Sequence, residues 1–301
     1  METRVLSYGD EAIAEAARLI LAGEPVAVPT ETVYGLAADA TNAQAVGRIY
    51  EAKGRPSFNP LIVHVPDLAS AERIGNLTAE ARKLAHAHWP GPLTLVVPIR
   101  SGAGIASIVT AGLPTVGIRV PAHPAMQALL RAVDRPLAAP SANASGSISP
   151  TRAAHVLKSL DGRIPLIIDG GATQRGLEST IVAATGAKLR LLRLGPIQLD
   201  LGVAPGDTIE APGQLASHYA PSKPLRLNCR VADADEFLIG FGPVGGDANL
   251  SSESDLVEAA ARLFDLLHKA DASSKPRIAV APIPAEGLGK AINDRLRRAA
   301  A

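Results

Sequence analysis

The segment EAKGRPSFNPLIVHV, residues 51–65, contains the change from a helical to an extended pattern on which the fold prediction depends. Upstream, Asn42 is a good N-cap, and the apolar residues after it recur on one helical face. Gly54 can end that helix, because glycine adopts a left-handed cap conformation without strain. The apolar run after Pro60 predicts a buried strand over residues 60–65. This helix–loop–strand unit indicates an α/β fold.

Helix and strand patterns alternate along the flanking sequence. Asp10 is the predicted N-cap of a first helix that ends before Gly23. Further helices are predicted near residues 78–88 and 123–133, with strands at 26–29, 93–99, 115–120, 166–169, 179–183 and 189–194. The late strands have no helices between them, which predicts a mixed sheet, partly parallel and partly antiparallel.

A change in composition divides the chain. Residues 195–224 are rich in proline and show no period, which predicts an extended linker. The patterns then begin again, with predicted strands at 225–228, 237–241 and 278–281, a helix at 254–270 and a final basic helix. We therefore predict one domain over residues 1–202, a linker over 203–223 and a small α/β domain over 224–301.

The overall composition limits the classes of function. The chain has 301 residues, of which 47% are hydrophobic, and this is enough for a full core. Its 30 Lys and Arg residues against 29 Asp and Glu residues give a net charge of +1, which offers no bulk attraction for nucleic acid or an anionic membrane. Cys229 is the single cysteine and has no partner for an internal disulfide. No signal-peptide pattern or long apolar run occurs, so the cytoplasm is the expected location.

Several common motifs are absent from the sequence. There is no G-x-x-x-x-G-K-[ST] phosphate loop, H-E-x-x-H zinc site or C-x-x-C pair. GFGPVG, residues 240–245, fits a dinucleotide pattern, but Pro243 and the loop after it leave no helix to begin on the glycines. We interpret this stretch as a turn. His86 and His88 are two apart in a helical pattern, which makes them surface residues rather than metal ligands.

Polar side chains are concentrated in residues 51–65. Cations beside a helix C-terminus, such as Lys53 and Arg55, can be explained by the helix dipole, worth about 0.3–1 kcal/mol. A lone histidine in a strand, such as His64, is more often a packed core residue than a ligand-binding one. Together with Asn59, however, these side chains could converge on an anionic ligand.

Three further polar clusters occur along the chain, and the first of them directly follows a predicted strand. They are PTETVYG (residues 29–35), PSANASGSISP (residues 140–150) and GLEST (residues 176–180), the last with Arg193 nearby. Strand ends are where open α/β sheets present their ligand crevices. Small hydroxyl residues near arginines suit an oligophosphate, because backbone and hydroxyl donors meet the oxygens while guanidiniums neutralise the charge.

The order and spacing of these motifs resemble the threonylcarbamoyl-AMP synthase family. The resemblance rests on PTETVYGL (29–36), KGRPSFNPLIVHV (53–65), PTVGIRVP (114–121), APSANASG (139–146) and EST (178–180). HYAP (218–221), after the proline-rich linker, is similar to the two-domain branch of that family. The resemblance implies a YrdC-type domain, with a twisted mixed sheet and helices around a concave cavity, and a smaller Rossmann-like α/β C-terminal domain.

The resemblance also implies a reaction. L-threonine, bicarbonate and ATP, with Mg²⁺, would give threonylcarbamoyl-AMP and pyrophosphate, which makes the protein a nucleotidyltransferase. A separate tRNA threonylcarbamoyl transferase would then modify the adenosine beside the anticodon. No stable nucleic-acid complex and no membrane contact are expected, and the Mg²⁺ ligands are unassigned.

The family pattern assigns site residues position by position. Those expected to bind L-threonine are Thr32, His64, Arg119, Ala139 and Ser179. Those expected to bind ATP are Lys53, Arg55, Asn59, Thr115, Ser141, Asn143, Ser149, Arg193, His218 and Tyr219. Arg119 is the expected partner of the threonine carboxylate, and Lys53 and Arg55 are expected to stabilise transition-state charge.

The linker suggests a second hypothesis, in which it folds over the cavity as a strap and excludes water from the labile adenylate. The simpler interpretation is a passive tether. The family often has a basic and aromatic pair before His218, whereas residues 214–217 are neutral here. A chain ending near Leu201 that formed and protected the adenylate equally well would contradict the strap hypothesis.

Two other functions are compatible with parts of the sequence. An RNA-binding module without catalysis is disfavoured by the net charge of +1, the 3% aromatic content and the lack of a basic stripe. A carbamoyltransfer enzyme is the other alternative, because hydrogenase-maturation proteins contain a similar domain. The sequence lacks the cysteine-rich and acylphosphatase-like segments expected beside that domain.

Overall fold

The computed structural model describes residues 2–201, 210–213 and 218–301. Up to residue 201, which we call the N-terminal unit, the helices are α1 (Asp10–Leu21), α2 (Ala43–Lys53), α3 (Leu68–Ile74), α4 (Ala79–His88), α5 (Ser107–Thr110), α6 (Pro124–Val133) and α7 (Ala153–Leu160). The strands are β1 (Arg4–Ser7), β2 (Val26–Pro29), β3 (Tyr34–Asp39), β4 (Ile62–His64), β5 (Leu93–Pro98), β6 (Thr115–Arg119), β7 (Leu137–Ala138), β8 (Leu166–Asp169), β9 (Thr180–Ala183) and β10 (Arg190–Arg193).

These strands form one ten-stranded sheet in the order β1-β8-β2-β3-β7-β4-β6-β5-β9-β10. The pairs β4–β6 and β5–β9 are parallel, whereas β2–β3, β5–β6 and β9–β10 are antiparallel. The predicted mixed α/β sheet is therefore confirmed. Apolar clusters from the helices cover the sheet and bury most of its strands, whereas the edge strand β1 is largely exposed.

The C-terminal unit, residues 224–301, has a second and smaller sheet. Its strands are β11 (Leu225–Arg226), β12 (Glu236–Gly240), β13 (Ala248–Asn249) and β14 (Arg277–Val280), in the order β11-β14-β12-β13. All the pairs are parallel, and α8 (Leu256–Ala272) and α9 (Gly289–Ala299) pack with them. No helix in the described ranges is long and apolar enough to cross a membrane.

The two units share an apolar cluster. Leu177 from the N-terminal unit and Tyr219 from the linker pack with Leu263 and Phe264 of α8, and all four are at most 1% exposed. Fully burying a side chain of this size contributes about 1.5–3 kcal/mol. The packing joins the units across the predicted linker, and the domain boundaries at 202/203 and 223/224 stay a prediction.

Local capping explains the segment that opened the sequence analysis. The Asn42 side-chain oxygen accepts hydrogen bonds from the backbone N–H groups of residues 44 and 45, and α2 ends at Gly54 with φ 60°. The predicted cap, helix end and following strand are confirmed. The N-cap predicted at Asp10 was wrong: Gly9 is the N-cap and Asp10 is the first helical residue. Its carboxylate lies in the first helical turn, where it also favours the dipole.

Two other predictions concern single elements. Strand β3 was missed, because its sequence YGLAAD shows no alternation and contains glycine, alanine and aspartate, which are depleted in strands. The equally buried β2 was predicted from its two valines. Residues 240–244 form the predicted turn, closed by a bridge between Phe241 and Val244, and Gly242 has φ 55°. A Cβ on Gly240 would lie 2.1 Å from the Val244 carbonyl oxygen, so these glycines serve a tight backbone approach.

Candidate active site

One cavity brings together most of the predicted site residues. It lies at the ends of β2, β4 and β6 and is bounded by the loops after β7 and before β9 and by the linker. All the residues predicted for L-threonine line it, namely Thr32, His64, Arg119, Ala139 and Ser179. Of the residues predicted for ATP, the described lining includes Arg55, Ser141, Arg193, His218 and Tyr219. The remaining ones, Lys53, Asn59, Thr115, Asn143 and Ser149, are not among those lining residues.

Strand register places His64 beside Arg119. The two residues are register partners at the carboxyl ends of the parallel strands β4 and β6, so their side chains leave the sheet on the same face. Burial and the nearby Arg119 lower the pKa of His64 to about 3, which keeps its imidazole neutral. His64 can therefore serve as a neutral hydrogen-bonding group in this cavity.

Arg119 forms a buried ion pair that sequence reasoning missed. Its Nη2 lies 2.6 Å from Glu31 Oε1, and both side chains are about 5% exposed. The other oxygen of Glu31 accepts a hydrogen bond from the Ala122 backbone N–H at 3.1 Å. Burial raises the pKa of Glu31, but the Arg119 guanidinium outweighs this and holds the pKa below its usual value. The carboxylate in PTETVYG was the available signal.

Hydroxyl groups line the same wall. Thr30 Oγ1 donates to the Val33 carbonyl oxygen at 2.7 Å and lies 2.8 Å from Thr32 Oγ1, which fixes the turn between β2 and β3. Ser179 Oγ lies 2.7 Å from the Thr94 hydroxyl and accepts from Arg193 Nη2 at 3.0 Å. These contacts hold the hydroxyls of residues 32 and 179 in defined positions.

Arg55 and Lys53 have different surroundings, although the sequence grouped them. Arg55 lines the cavity and donates to the backbone carbonyl oxygens of residues 59 and 60, at 3.2 and 3.0 Å. Lys53 Nζ donates to the carbonyl oxygen of Ser141 at 2.5 Å and to that of Asn143. The ammonium group therefore holds the serine-rich loop (residues 140–150) through its backbone. Burial lowers the pKa of Lys53 well below its usual value.

Three buried cations around the cavity lack a carboxylate. Within the described ranges, no salt bridge is formed by Lys53, Arg55 or Arg193. Each is less than 10% exposed, and burial lowers the pKa of each. A buried cation without a counter-ion costs several kcal/mol, and a bound anion would remove that cost.

Some polar atoms beside the cavity also lack partners. Asn59 Oδ1, Asn143 Oδ1 and His218 Nδ1 are buried and have no hydrogen bond to any described residue. Such atoms are rare in folded proteins and call for a specific explanation, such as a ligand or a water molecule. All three belong to residues predicted to bind ATP, so a nucleotide bound there would supply the missing hydrogen-bond partners.

The described part of the linker borders the cavity. His218 and Tyr219 line it together with Pro212 and Gly213, and the cavity volume is about 50 Å³. The His218 backbone N–H donates to the Arg298 carbonyl oxygen of α9 at 3.1 Å. The neutral segment at residues 214–217 lies outside the described residues. These linker residues, which we call the strap, therefore form part of the cavity wall, while closure over the cavity and exclusion of water stay predictions.

Glu178 and Arg295 form a second buried pair that sequence reasoning missed. Glu178 Oε2 lies 2.8 Å from Arg295 Nε, and Glu178 Oε1 accepts from Ser149 Oγ at 2.5 Å. Arg295 belongs to the basic helix α9, whose arginines suggest a surface element. Its place three and four residues after Ile292 and Ala291, on the buried face, was the signal available in the sequence.

Two family models match the chain and together cover nearly all of it. The model described as telomere recombination, with the name Sua5_yciO_yrdC, matches residues 18–195. The model described as threonylcarbamoyl-AMP synthase, C-terminal domain, matches residues 186–301.

Individual relatives are similar over the same span. The threonylcarbamoyl-AMP synthase of Bacillus subtilis is 40% identical over 99% of this chain and 95% of its own length. That of Pyrococcus abyssi is 39% identical over 94% of this chain and 92% of its own length. A crystal structure of P. abyssi Sua5 complexed with L-threonine superposes with a TM-score of 0.90, at 36% identity over 99% of this chain and 97% of that one.

Proposed function

The chain belongs to the threonylcarbamoyl-AMP synthase family, and from this premise we propose that it condenses L-threonine, bicarbonate and ATP to threonylcarbamoyl-AMP and pyrophosphate. The observation that carries the proposal is a set of buried cations with no carboxylate partner among the described residues: Arg55 and Arg193 line the cavity, and Lys53 holds the loop beside it. They occur in a protein of net charge +1. An oligophosphate supplies the missing negative charge.

The wall formed by β4 and β6 is the proposed L-threonine site. The Arg119 guanidinium pairs with the substrate carboxylate, while Glu31 keeps Arg119 oriented from the other side. Neutral His64 and the Ser179 hydroxyl offer hydrogen bonds to the amino acid. The P. abyssi relative, which is crystallised with L-threonine, supports this choice of substrate.

The chemistry requires positioning rather than a protein nucleophile. The threonine amine forms a bond to the bicarbonate carbon and water leaves, which gives a carbamate. A carbamate oxygen then attacks the α-phosphorus of ATP and expels pyrophosphate. Arg55 and Arg193 line the cavity and stabilise the charge that develops on the phosphates. Lys53 acts on the site indirectly, because its ammonium group fixes the loop that carries Ser141. Orientation of two bound reactants can itself supply about 7–11 kcal/mol.

Mg²⁺ fits this proposal as a companion of ATP. Glu178 is the one carboxylate among the described lining residues, and Ser149 and Arg295 already bond to its two oxygens. No group of three candidate metal-binding side chains occurs in the described parts of the chain. Mg²⁺ commonly keeps several waters and binds through substrate phosphates, where it would neutralise part of their charge.

The product implies a downstream partner. Threonylcarbamoyl-AMP is a mixed anhydride, so a separate tRNA threonylcarbamoyl transferase must accept it for the group to reach the adenosine beside the anticodon. We also propose that the strap with His218 and Tyr219 keeps water from the adenylate, since both residues line the cavity and are less than 10% exposed.

The proposal is tested by pyrophosphate release from ATP and Mg²⁺, with L-threonine and bicarbonate each omitted in turn. We expect release only when both are present. Release independent of L-threonine would overturn the function. Turnover that required carbamoyl phosphate would favour the carbamoyltransfer alternative, and tight, salt-sensitive tRNA binding without turnover would favour the RNA-binding one.

A further inference from the structure

Arg295 is a buried arginine that reaches the rear of the cavity from the C-terminal unit. It has no measurable exposure and is the largest fully buried side chain in the described ranges. Nε donates to Glu178 at 2.8 Å, Nη2 donates to the Leu194 carbonyl oxygen at 2.8 Å, and Nη1 donates to Asp294 at 2.9 Å. Arg295 does not line the cavity, so any effect on a ligand must pass through the groups that it holds.

Glu178 is the first of those groups. It lines the cavity and is held from both sides, by Ser149 on one oxygen and by Arg295 on the other. Ser179, the next residue along the chain, also lines the cavity. Fixing both oxygens of Glu178 therefore also fixes the backbone at residues 178 and 179, which form this part of the cavity wall.

The strap is the second group. The Arg295 guanidinium carbon lies 5.3 Å from the centre of the Tyr219 ring, within the range of a cation–π contact. One turn further along α9, the Arg298 carbonyl oxygen accepts from the His218 backbone N–H. The same helix of the C-terminal unit thus contacts the strap at two consecutive residues and the cavity wall at Glu178.

Charge gives Arg295 a further effect. An unpaired carboxylate on the cavity wall would repel a triphosphate, and in a buried setting this repulsion is poorly screened. The Arg295 guanidinium balances the charge of Glu178 at the point where the proposed nucleotide would lie. Arg55 and Arg193, which line the cavity, then remain available to the phosphates.

We infer that Arg295 is a positioning residue for ATP, which neutralises and orients Glu178 and holds the strap residue Tyr219, and that the C-terminal unit thereby completes the site. The inference rests on the proposed function for its reaction but concerns a residue outside the predicted set. A role as an anchor between the two units alone is the competing explanation. That role predicts a loss of stability with normal kinetics for the folded protein.

The test compares three variants of the full chain. Arg295→Met removes the guanidinium, and Arg262→Met is the matched control, because Arg262 forms an exposed i,i+4 pair with Glu258 in the same unit. Arg295→Met combined with Glu178→Gln removes both charges of the buried pair. Replacing both partners avoids the unpaired buried charge that destabilises a single variant.

We expect Arg295→Met to lower kcat/KM for ATP by about ten- to a hundredfold, the size that follows from a small misplacement of site groups. The double variant should recover the urea midpoint but stay at least about tenfold below the parent in kcat/KM for ATP, since the strap contact is still missing. The Arg262→Met control should match the parent. A double variant, or a folded Arg295→Met variant, with parental kcat/KM would overturn the inference.

A pH profile separates positioning from anchoring. The charged and titratable groups that face Glu178 are Arg295, Arg193, His218 and Tyr219. Without Arg295, burial should raise the Glu178 pKa, so that kcat/KM for ATP falls as rising pH ionises this carboxyl. That descending limb should be absent from the parent and from the double variant. Its absence from Arg295→Met would contradict the charge-balancing role.

The inference and the proposed function can fail separately. If the parent protein released no threonine-dependent pyrophosphate, the proposed reaction would be wrong. Equilibrium ATP binding to the same variants would then still test Arg295, with a dissociation constant about tenfold or more higher in Arg295→Met as the expected result. Equal dissociation constants for Arg295→Met and Arg262→Met would overturn the inference alone.

Discussion

Arg119 and Arg295 both form a buried ion pair with a glutamate, yet only Arg119 faces the cavity. Arg119 stands at the end of β6 and lines the cavity, while its Nη2 pairs with Glu31 and its Nε donates to the Gly91 carbonyl oxygen at 3.3 Å. Arg295 lies behind the wall, and all three of its nitrogens bond to protein oxygens. The same residue type and the same partner type therefore give a group that can bind a ligand in one place and a positioning group in the other.

The pairs also differ in what they connect. Glu31, in the turn between β2 and β3, and Arg119, at the end of β6, both belong to the N-terminal unit, whereas Glu178 and Arg295 join the two units. A buried pair is weak evidence for added stability, because desolvation offsets much of the attraction. Both pairs hold a guanidinium in a fixed position. Whether that guanidinium can bind a ligand depends on whether it lines the cavity.

Breaking the cavity-facing pair should give the largest effect. Arg119→Met should raise KM for L-threonine by about a hundredfold, because a charge-assisted contact to the substrate carboxylate is lost. KM for ATP should change by less than about threefold, in contrast to Arg295→Met. The measurement is steady-state pyrophosphate release with each substrate varied.

The exposed pair of Arg82 with Glu72 supplies the control for this variant. Arg82→Met should leave both KM values unchanged. Adding Glu31→Gln to Arg119→Met should recover part of the roughly 3–5 kcal/mol lost when one partner of a buried pair is removed, without recovering L-threonine binding. An unchanged KM for L-threonine in Arg119→Met would remove the distinction between the two arginines.

Lys53 differs from both arginines, because among the described residues its side chain bonds only to carbonyl oxygens. Lys53→Met should lower kcat by about tenfold and leave KM for L-threonine within about twofold, because the serine-rich loop loses its brace while Arg119 is untouched. Lys83→Met, on the exposed side of α4, is the control. Equal changes in kcat and in KM for L-threonine would contradict this assignment. If Lys53→Met instead kept normal kinetics and lost well under about 2 kcal/mol of unfolding free energy, the role of Lys53 would be limited to offsetting the dipole of α2.

The smallest effect concerns the neutral histidine near each pair. His64 lies near Arg119 and Glu31, His218 lies near Glu178, and burial lowers the pKa of both histidines to about 3. Between pH 6.5 and 3 the unfolded chain therefore binds more protons than the folded one, so stability falls as pH falls. Each histidine should cost about 0.5 kcal/mol between about pH 7 and pH 6.

Urea midpoints over this pH range measure the effect, and His64→Gln should flatten the dependence. Two other buried histidines act with the same sign, since burial lowers the pKa of His155 to about 3 and of His268 to about 4. The residual slope in His64→Gln should reflect these groups. Stability that increased towards acid pH would show that His64 is protonated in the folded state.

Much of the N-terminal unit could be predicted because its signals are local. The cap at Asn42, the end of α2 at Gly54 and the strand that follows depend on residues a few positions apart. The N-cap at Asp10 was wrong by one residue, and β3 was missed because its sequence shows no alternation and contains residue types that are depleted in strands. The motifs were sufficient for the family, and every residue predicted for L-threonine lines the cavity.

The sequence by itself determined the helix–strand units, the family and the group of residues that gathers at one cavity. Only the tertiary structure decided how the charges are distributed: Lys53 braces a loop, Arg55 and Arg193 keep no carboxylate among the described residues, and Arg295 is buried against Glu178. The physical reason is the separation along the chain over which each interaction acts. Caps and periodicity act over a few residues, whereas burial and ion pairing join positions 117 residues apart in the chain and have no local signature.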